Sequence, residues 1–214
     1  MSKYILHYFE FNSRASVARA ILSYVKADWT NDLIKKEDWS KIKKSGLCEY
    51  EQLPVLEING KKYCESNAIH LYLTETFNLM GKDAEENYQI VNLLMTLDDF
   101  YAVAIDFFHC EDEVKKEEFR KKSAAKLKFF LEKFEKRYIN LGKNKYFLGD
   151  KFTLADIFLA STIVDCVDVL KLKKCPFKEV APYLGELIQR IKENELKEYY
   201  EKYYIKFEQN LTLH

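Results

Sequence analysis

The sequence predicts a small α/β unit of order β, α, β then β, β, α, followed by an all-helical bundle. Three observations predict it. Short strand-like and helix-like runs alternate over the first eighty residues. An Asn59-Gly60 pair between two β-type runs marks a hairpin, because both residues tolerate the positive φ of a two-residue turn. Beyond residue 84 the apolar residues recur almost throughout at helical spacing.

Tyr4 to Phe9 is aromatic and β-branched and reads as a strand. Asn12 and Ser13 are N-cap types, and after them Val17, Ile21, Leu22 and Val25 repeat as one face of a helix. Trp29 to Ile34 reads as a second strand, and the charged stretch Lys35 to Glu51 as loop with a short helical turn. Val55 to Ile58 and Lys61 to Cys64 are the hairpin strands, and Ser66 is expected to cap a helix carrying Ile69, Leu71, Tyr72 and Leu73. Such an order implies a small mixed sheet covered by helices. Phe77 to Asp83, with Gly81, reads as a linker between domains at 1–79 and 84–214.

In the bundle, Val91, Leu94, Met95, Ala102 and Ile105 form one apolar stripe, and Leu127, Phe130, Leu131, Phe134 and Tyr138 another. Leu154 to Leu170 is apolar on nearly every face and reads as the central buried helix. Thr153 and Asp156 have the spacing of a capping box before it, a structural rather than chemical role. Helices near Glu179 to Lys192 and Glu195 to Tyr204 close the chain.

Thirty-four basic residues balance thirty-four acidic ones in 214, so nothing attracts phosphate backbones or anionic lipid. The lysine-rich amphipathic stripe around Phe130 therefore reads as a bundle helix, not a membrane-surface one. The longest apolar run, Phe158 to Val164, is far short of the ~20 residues that span a bilayer. Cys48, Cys64, Cys110, Cys166 and Cys175 form no CxxC pair, so neither a metal site nor a dithiol motif is expected; each reads as a small buried hydrophobe. Their odd number, with no secretory leader, fits a reducing cytoplasm.

Six motifs, in order and in register, resemble the cytosolic glutathione transferases, sigma class in particular. They are Lys3 to Phe9 with Ser13-Arg14-Ala15; Glu37-Asp38-Trp39 with Lys43; Gln52-Leu53-Pro54-Val55-Leu56; Glu65-Ser66-Asn67-Ala68-Ile69; Thr96-Leu97-Asp98-Asp99-Phe100; and Gly149-Asp150 with Thr153-Leu154-Ala155-Asp156. The resemblance implies a thioredoxin-like N-terminal domain, an all-α C-terminal domain and a homodimer. It implies no cofactor beyond glutathione as co-substrate, and no metal.

By this resemblance Tyr8 is the catalytic residue, its hydroxyl donating to the glutathione sulfur and keeping it anionic, with Arg14 supporting that hydroxyl. Hydrogen bonding to the charged form of a thiol lowers its pKa, and the thiolate is the nucleophile. Tyr4 is the competing candidate within the same strand. Trp39 and Lys43 are implied to hold the glycyl carboxylate. Gln52 and the Leu53 backbone would meet the cysteinyl portion beside a cis Pro54. Glu65 and Ser66 would take the γ-glutamyl end; Glu65 stands where sigma-class enzymes usually have Gln. Asp99, rather than Asp98, is favoured for reaching the neighbouring subunit's glutathione. Asp98 falls on the apolar stripe and there needs a partner. Tyr50 reads equally as an interface key aromatic or an exposed loop residue.

The activity implied is transfer of glutathione to a hydrophobic electrophile between the domains, walled by Phe9, Phe11, Phe107 and Phe108. Rivals are a non-catalytic relative, either glutathione-binding or crystallin-like and structural, and a sigma-type prostaglandin isomerase; Ala104-Ile105-Asp106, where that isomerase pocket has its tryptophan wall, counts against the latter. A thiol-disulfide oxidoreductase would need a cysteine near the end of the first strand, and none precedes Cys48.

Overall fold

A computed structural model describes residues 2–170 and 176–206, excepting the side chains of Leu97, Val103, Ile105, Phe108 and Pro176. Cys175 lies outside the described residues. The N-terminal half holds β1 (Tyr4–Phe9), α1 (Ser16–Tyr24), β2 (Trp29–Ile34), α2 (Lys36–Lys43), β3 (Val55–Ile58), β4 (Lys61–Tyr63) and α3 (Ser66–Thr76). The sheet order is β2-β1-β3-β4, with β1 parallel to β2 and antiparallel to β3. The parallel pair needs a crossover, which α1 supplies. β1 is thus central, and Tyr4, Leu6 and Tyr8 point to its buried face.

The bundle follows: α4 (Ala84–His109), α5 (Glu113–Asn140), α6 (Leu154–Phe158), a π-helical turn (Leu159–Ile163), α7 (Val164–Val169), α8 (Pro176–Val180), α9 (Pro182–Glu193) and α10 (Lys197–Lys202). The run expected as one buried helix is wholly buried through residue 166, and its middle turn widens to π geometry. The capping box is present: Asp156 accepts from the Thr153 amide at 2.9 Å and the Phe147 amide at 2.8 Å. One core runs through both halves, and the Leu154 amide donates to the Leu79 carbonyl across them.

Several expectations need correction. Lys36–Lys43 is a helix of two turns, with Glu37 and Asp38 at its start and Lys41 and Lys43 at its end, charges that oppose its dipole. Ser66 is the first residue of α3, and Glu65 holds the cap position. The Asn12 and Ser13 side chains do not cap α1 either; residues 13–15 form a 3₁₀ turn ahead of it. On α4 the buried face runs through Ile90, Leu93, Leu94, Phe100, Ala104 and Phe107, while Met95 and Ala102 are exposed. The stripe is rotated because α4 turns that face onto α5 and α6. Pro182 at the start of α9 splits the helix expected from Glu179.

Candidate functional site

β1 delivers Tyr8 to the end of the central strand, where the chain turns into residues 13–15. Its ring is buried, meeting Phe9 and Phe11 edge-on at 5.6 and 5.4 Å, with the Arg19 guanidinium 5.6 Å from its centroid. Burial pushes the phenol above its ordinary value of 10, while the Ser13 hydroxyl, the Arg14 amide and the charges of Arg19 and Arg14 pull it back. Tyr8 is therefore a neutral donor at pH 7. A neutral phenol keeps its proton for donation to an acceptor. Tyr4 instead packs against Phe77 at 5.9 Å, within the core.

The side chain of Arg14 turns the other way. Its Nη1 donates to Asp98 Oδ1 at 2.9 Å, and its guanidinium lies 4.7 Å over the Tyr101 ring. Asp98 Oδ2 accepts from Asn67 Nδ2 at 2.8 Å. The partner that Asp98 requires is thus found in its own chain, while Asp99 is exposed. The Ser13 hydroxyl donates to Tyr101 Oη at 3.1 Å, closing a polar ring around the Tyr8 end of the sheet.

The remaining residues line the approach. Trp39 on α2 is half-buried and meets Phe9 edge-on at 5.5 Å, so Tyr8, Phe9 and Trp39 form a continuous aromatic row. Phe9 and Phe11 stack at 5.5 Å. Phe107 is buried, and the Phe108 side chain is outside the described set. Lys43 Nζ lies 3.9 Å from Glu51 Oε2, both exposed. Gln52 is exposed, Leu53 half-buried, and the Leu53–Pro54 peptide bond is cis as expected. Glu65 is exposed with φ +69°, and Ser66 behind it is buried. Ser13, at φ +42°, is a second residue held in the left-handed region beside the site. Such conformations cost about 1–3 kcal/mol each and collect at functional sites. Tyr50 is exposed in the loop after α2.

Three participants escaped the sequence reading. Arg19 is fully buried and donates to the carbonyls of Phe11 at 2.6 Å and Phe9 at 3.0 Å and to Asn31 Oδ1 at 3.0 Å. A lone cation inside the apolar run Val17 to Leu22 was its signal. Asp165 accepts from the Ser13 amide at 2.9 Å and Asn12 Nδ2 at 3.1 Å, and burial raises its pKa to about 6. Asn12 also pairs with the Ile205 backbone in both directions, tying the last described residues to the turn after β1. Among the described residues no group of three or more His, Cys, Asp or Glu is placed to hold a metal ion. No described helix is long and apolar enough to cross a membrane.

A mixed four-stranded sheet with a buried tyrosine near the end of its central strand, joined to a helical bundle, defines a two-part protein with a thioredoxin-like N-terminal domain. Comparison with known proteins carries this further. The glutathione S-transferase N-terminal domain model matches residues 5–75, and the C-terminal domain model matches residues 98–203. A glutathione S-transferase of Anopheles gambiae is 30% identical over 196 residues, 91% of this chain and 93% of that protein. Among solved structures, rat hematopoietic prostaglandin D synthase complexed with a quinoline has a TM-score of 0.81 at 26% identity, covering 98% of this chain and 100% of that one. A sigma-class enzyme of Fasciola hepatica has a TM-score of 0.77 at 25% identity, covering 94% and 96%. The chain belongs to the glutathione S-transferase family, and as an enzyme it is a glutathione transferase.

Proposed function

We propose that the chain conjugates glutathione to hydrophobic electrophiles, with Tyr8 holding the sulfur as a thiolate. The observation that carries this is Tyr8 itself, buried near the end of the central strand against Phe9 and Phe11, its phenol kept neutral because burial raises its pKa. A phenol so fixed donates to a sulfur without surrendering its proton. The donation favours the anion, lowering the thiol pKa. Trp39 and Lys43 take the glycyl carboxylate in this reading, Gln52 and the Leu53 backbone the middle of the tripeptide beside Pro54, and Glu65 and Ser66 the γ-glutamyl end. The stacked Phe9 and Phe11 offer an apolar wall to the second substrate.

The same reading makes the chain a cytoplasmic, sigma-type homodimer of domains 1–79 and 84–214. Tyr72 on α3 and Tyr88 and Met95 on α4 are exposed large apolar side chains, which suit a partner, and Asp99 on α4 is free to reach the neighbouring glutathione. Relatives named prostaglandin D synthase favour a second reading, a prostaglandin isomerase. The segment Ala104-Ile105-Asp106, where that pocket has its tryptophan wall, holds no tryptophan and counts against it.

The test is Tyr8→Phe with glutathione and a generic aryl halide. A hydrogen bond to a charged group is worth about 1.5–3 kcal/mol, so kcat near neutral pH falls roughly 10- to 100-fold. The loss shrinks at higher pH, where the thiol ionises unaided, and glutathione KM changes little. Equal activity in the variant, or a bound thiol that titrates as in buffer, overturns the reading.

A further inference from the structure

Two cysteines 16 residues apart in the chain meet in the fold: Cys48 Sγ and Cys64 Sγ lie 3.0 Å apart, and both are free thiols. Cys48 is buried in the loop after α2, where its carbonyl accepts from the Glu51 amide at 3.2 Å. Cys64 is partly exposed, between β4 and Glu65. The two segments are tied a second time, since Lys62 Nζ donates to the Gly46 carbonyl at 3.2 Å. A disulfide needs its sulfurs about 2.05 Å apart, so closure asks for an approach of roughly one ångström. The absence of a CxxC motif hid this pair, because only the hairpin and the loop folded together create it.

We propose that Cys48 and Cys64 form a modification site: a dithiol that closes reversibly to an intramolecular disulfide by exchange with a small-molecule disulfide of the glutathione disulfide class. The Cys64 thiolate, on the accessible side, attacks one sulfur of the small disulfide. The old sulfur–sulfur bond breaks, one glutathione leaves as thiolate and takes up a proton, and a mixed disulfide remains on Cys64. Cys48 loses its proton to solvent and attacks Sγ of Cys64, displacing the second glutathione. Two protein thiols are oxidised and one glutathione disulfide is reduced to two glutathione molecules. The new bond closes a ring that contains Gln52, Leu53 and Pro54 and ends beside Glu65.

Burial, the Cys48 neighbour and the charge of Glu49 push the Cys64 thiol up to about 11, with a backbone contact at Glu49 opposing them. The resting dithiol is therefore a slow nucleophile at neutral pH, while proximity makes the second, intramolecular step fast. The choice of glutathione disulfide rests on the glutathione reading above; the pair itself does not.

The test uses the full-length, reduced protein incubated with glutathione disulfide, then alkylated, with free thiols counted and peptides mapped by mass spectrometry. Two thiols are lost, a crosslink joins the peptides holding Cys48 and Cys64, and dithiothreitol restores both. In Cys48→Ala the glutathione adduct on Cys64 persists, since no resolving thiol remains. A lasting adduct on Cys64 in the wild-type protein overturns the proposal. So does retention of both thiols under conditions that oxidise them in the urea-unfolded chain. Hydroxyethyl disulfide serves as a second oxidant. Closure with it alone upholds the pair and counts against the glutathione reading of the neighbouring site; closure with neither overturns the pair.

Discussion

Arg14 Nη1 and Asp98 Oδ1 lie 2.9 Å apart, although 84 residues separate them in the chain. With Asn67 on the other carboxylate oxygen, one aspartate joins the turn after β1, the first turn of α3 and the middle of α4. Both side chains are substantially exposed, 37% and 47%, so solvent screens the pair and its contribution to stability is small. Its value lies in position, because it fixes the turn that follows the strand carrying Tyr8.

Asp98→Ala should therefore change unfolding free energy by less than about 1 kcal/mol. It should lower kcat/KM for glutathione about 10-fold, the equivalent of ~1.4 kcal/mol in the transition state. Asp99→Ala should raise glutathione KM and leave kcat unchanged. Steady-state kinetics beside urea titrations separate the two, and an Asp98→Ala enzyme with wild-type kinetics would detach the ion pair from the site.

Arg19 secures the end of β1 from beneath. Arg19→Met keeps the volume but leaves the Phe9 and Phe11 carbonyls and the Asn31 oxygen without their donors. Buried acceptors stripped of a charged donor should cost roughly 3 kcal/mol or more. Urea denaturation measures it; a loss under ~1 kcal/mol would mean that water reaches those carbonyls.

His70 on α3 is fully buried. Burial first, then the Arg14 charge, push its pKa down to about 3, with the Arg14 backbone and Asp98 opposing. Between about 3 and 6.5 the unfolded imidazole is protonated and the folded one is not, so the unfolded state binds the extra proton. Stability falls on acidification across that window by about 1.4 kcal/mol per pH unit and is fully retained above pH 6.5. His70→Leu lacks this dependence. The stability difference between wild type and variant, followed by urea titration from pH 7.5 to 4.5, should shrink with that slope below pH 6.5. A constant difference would show that the folded imidazole does protonate.

Asp156 receives two buried amides, those of Phe147 and Thr153. Asp156→Ala removes a cap, about 1 kcal/mol, and strands a buried donor for 1–3 more, so a loss of roughly 2–4 kcal/mol is expected. Activity per folded molecule should be unchanged, which kinetics below the melting temperature checks. Lost turnover in fully folded protein would move Asp156 into the site.

Local physics was legible in the chain. The aromatic and β-branched run Tyr4 to Phe9 marked β1, the Thr153–Asp156 spacing marked the start of α6, and Asn59-Gly60 marked the turn between β3 and β4. Each of these acts over a few residues, where the order of the chain is also the order in space. The misreadings at Ser66 and Asn12 came from the same short range: both are cap types, yet Ser66 was drawn into the helix and Asn12 toward Asp165 and Ile205.

Composition and periodicity alone thus established a mixed sheet followed by a helical bundle, with its central buried helix, and the motifs carried the family. Packing alone decided which face of α4 is covered, what Arg14 and Asp98 do for one another, why Arg19 is buried, and that Cys48 meets Cys64. These contacts join segments tens of residues apart or across a folded hairpin. Their energies depend on how helices rotate and loops settle once the shared core excludes water, and no local pattern encodes that rotation.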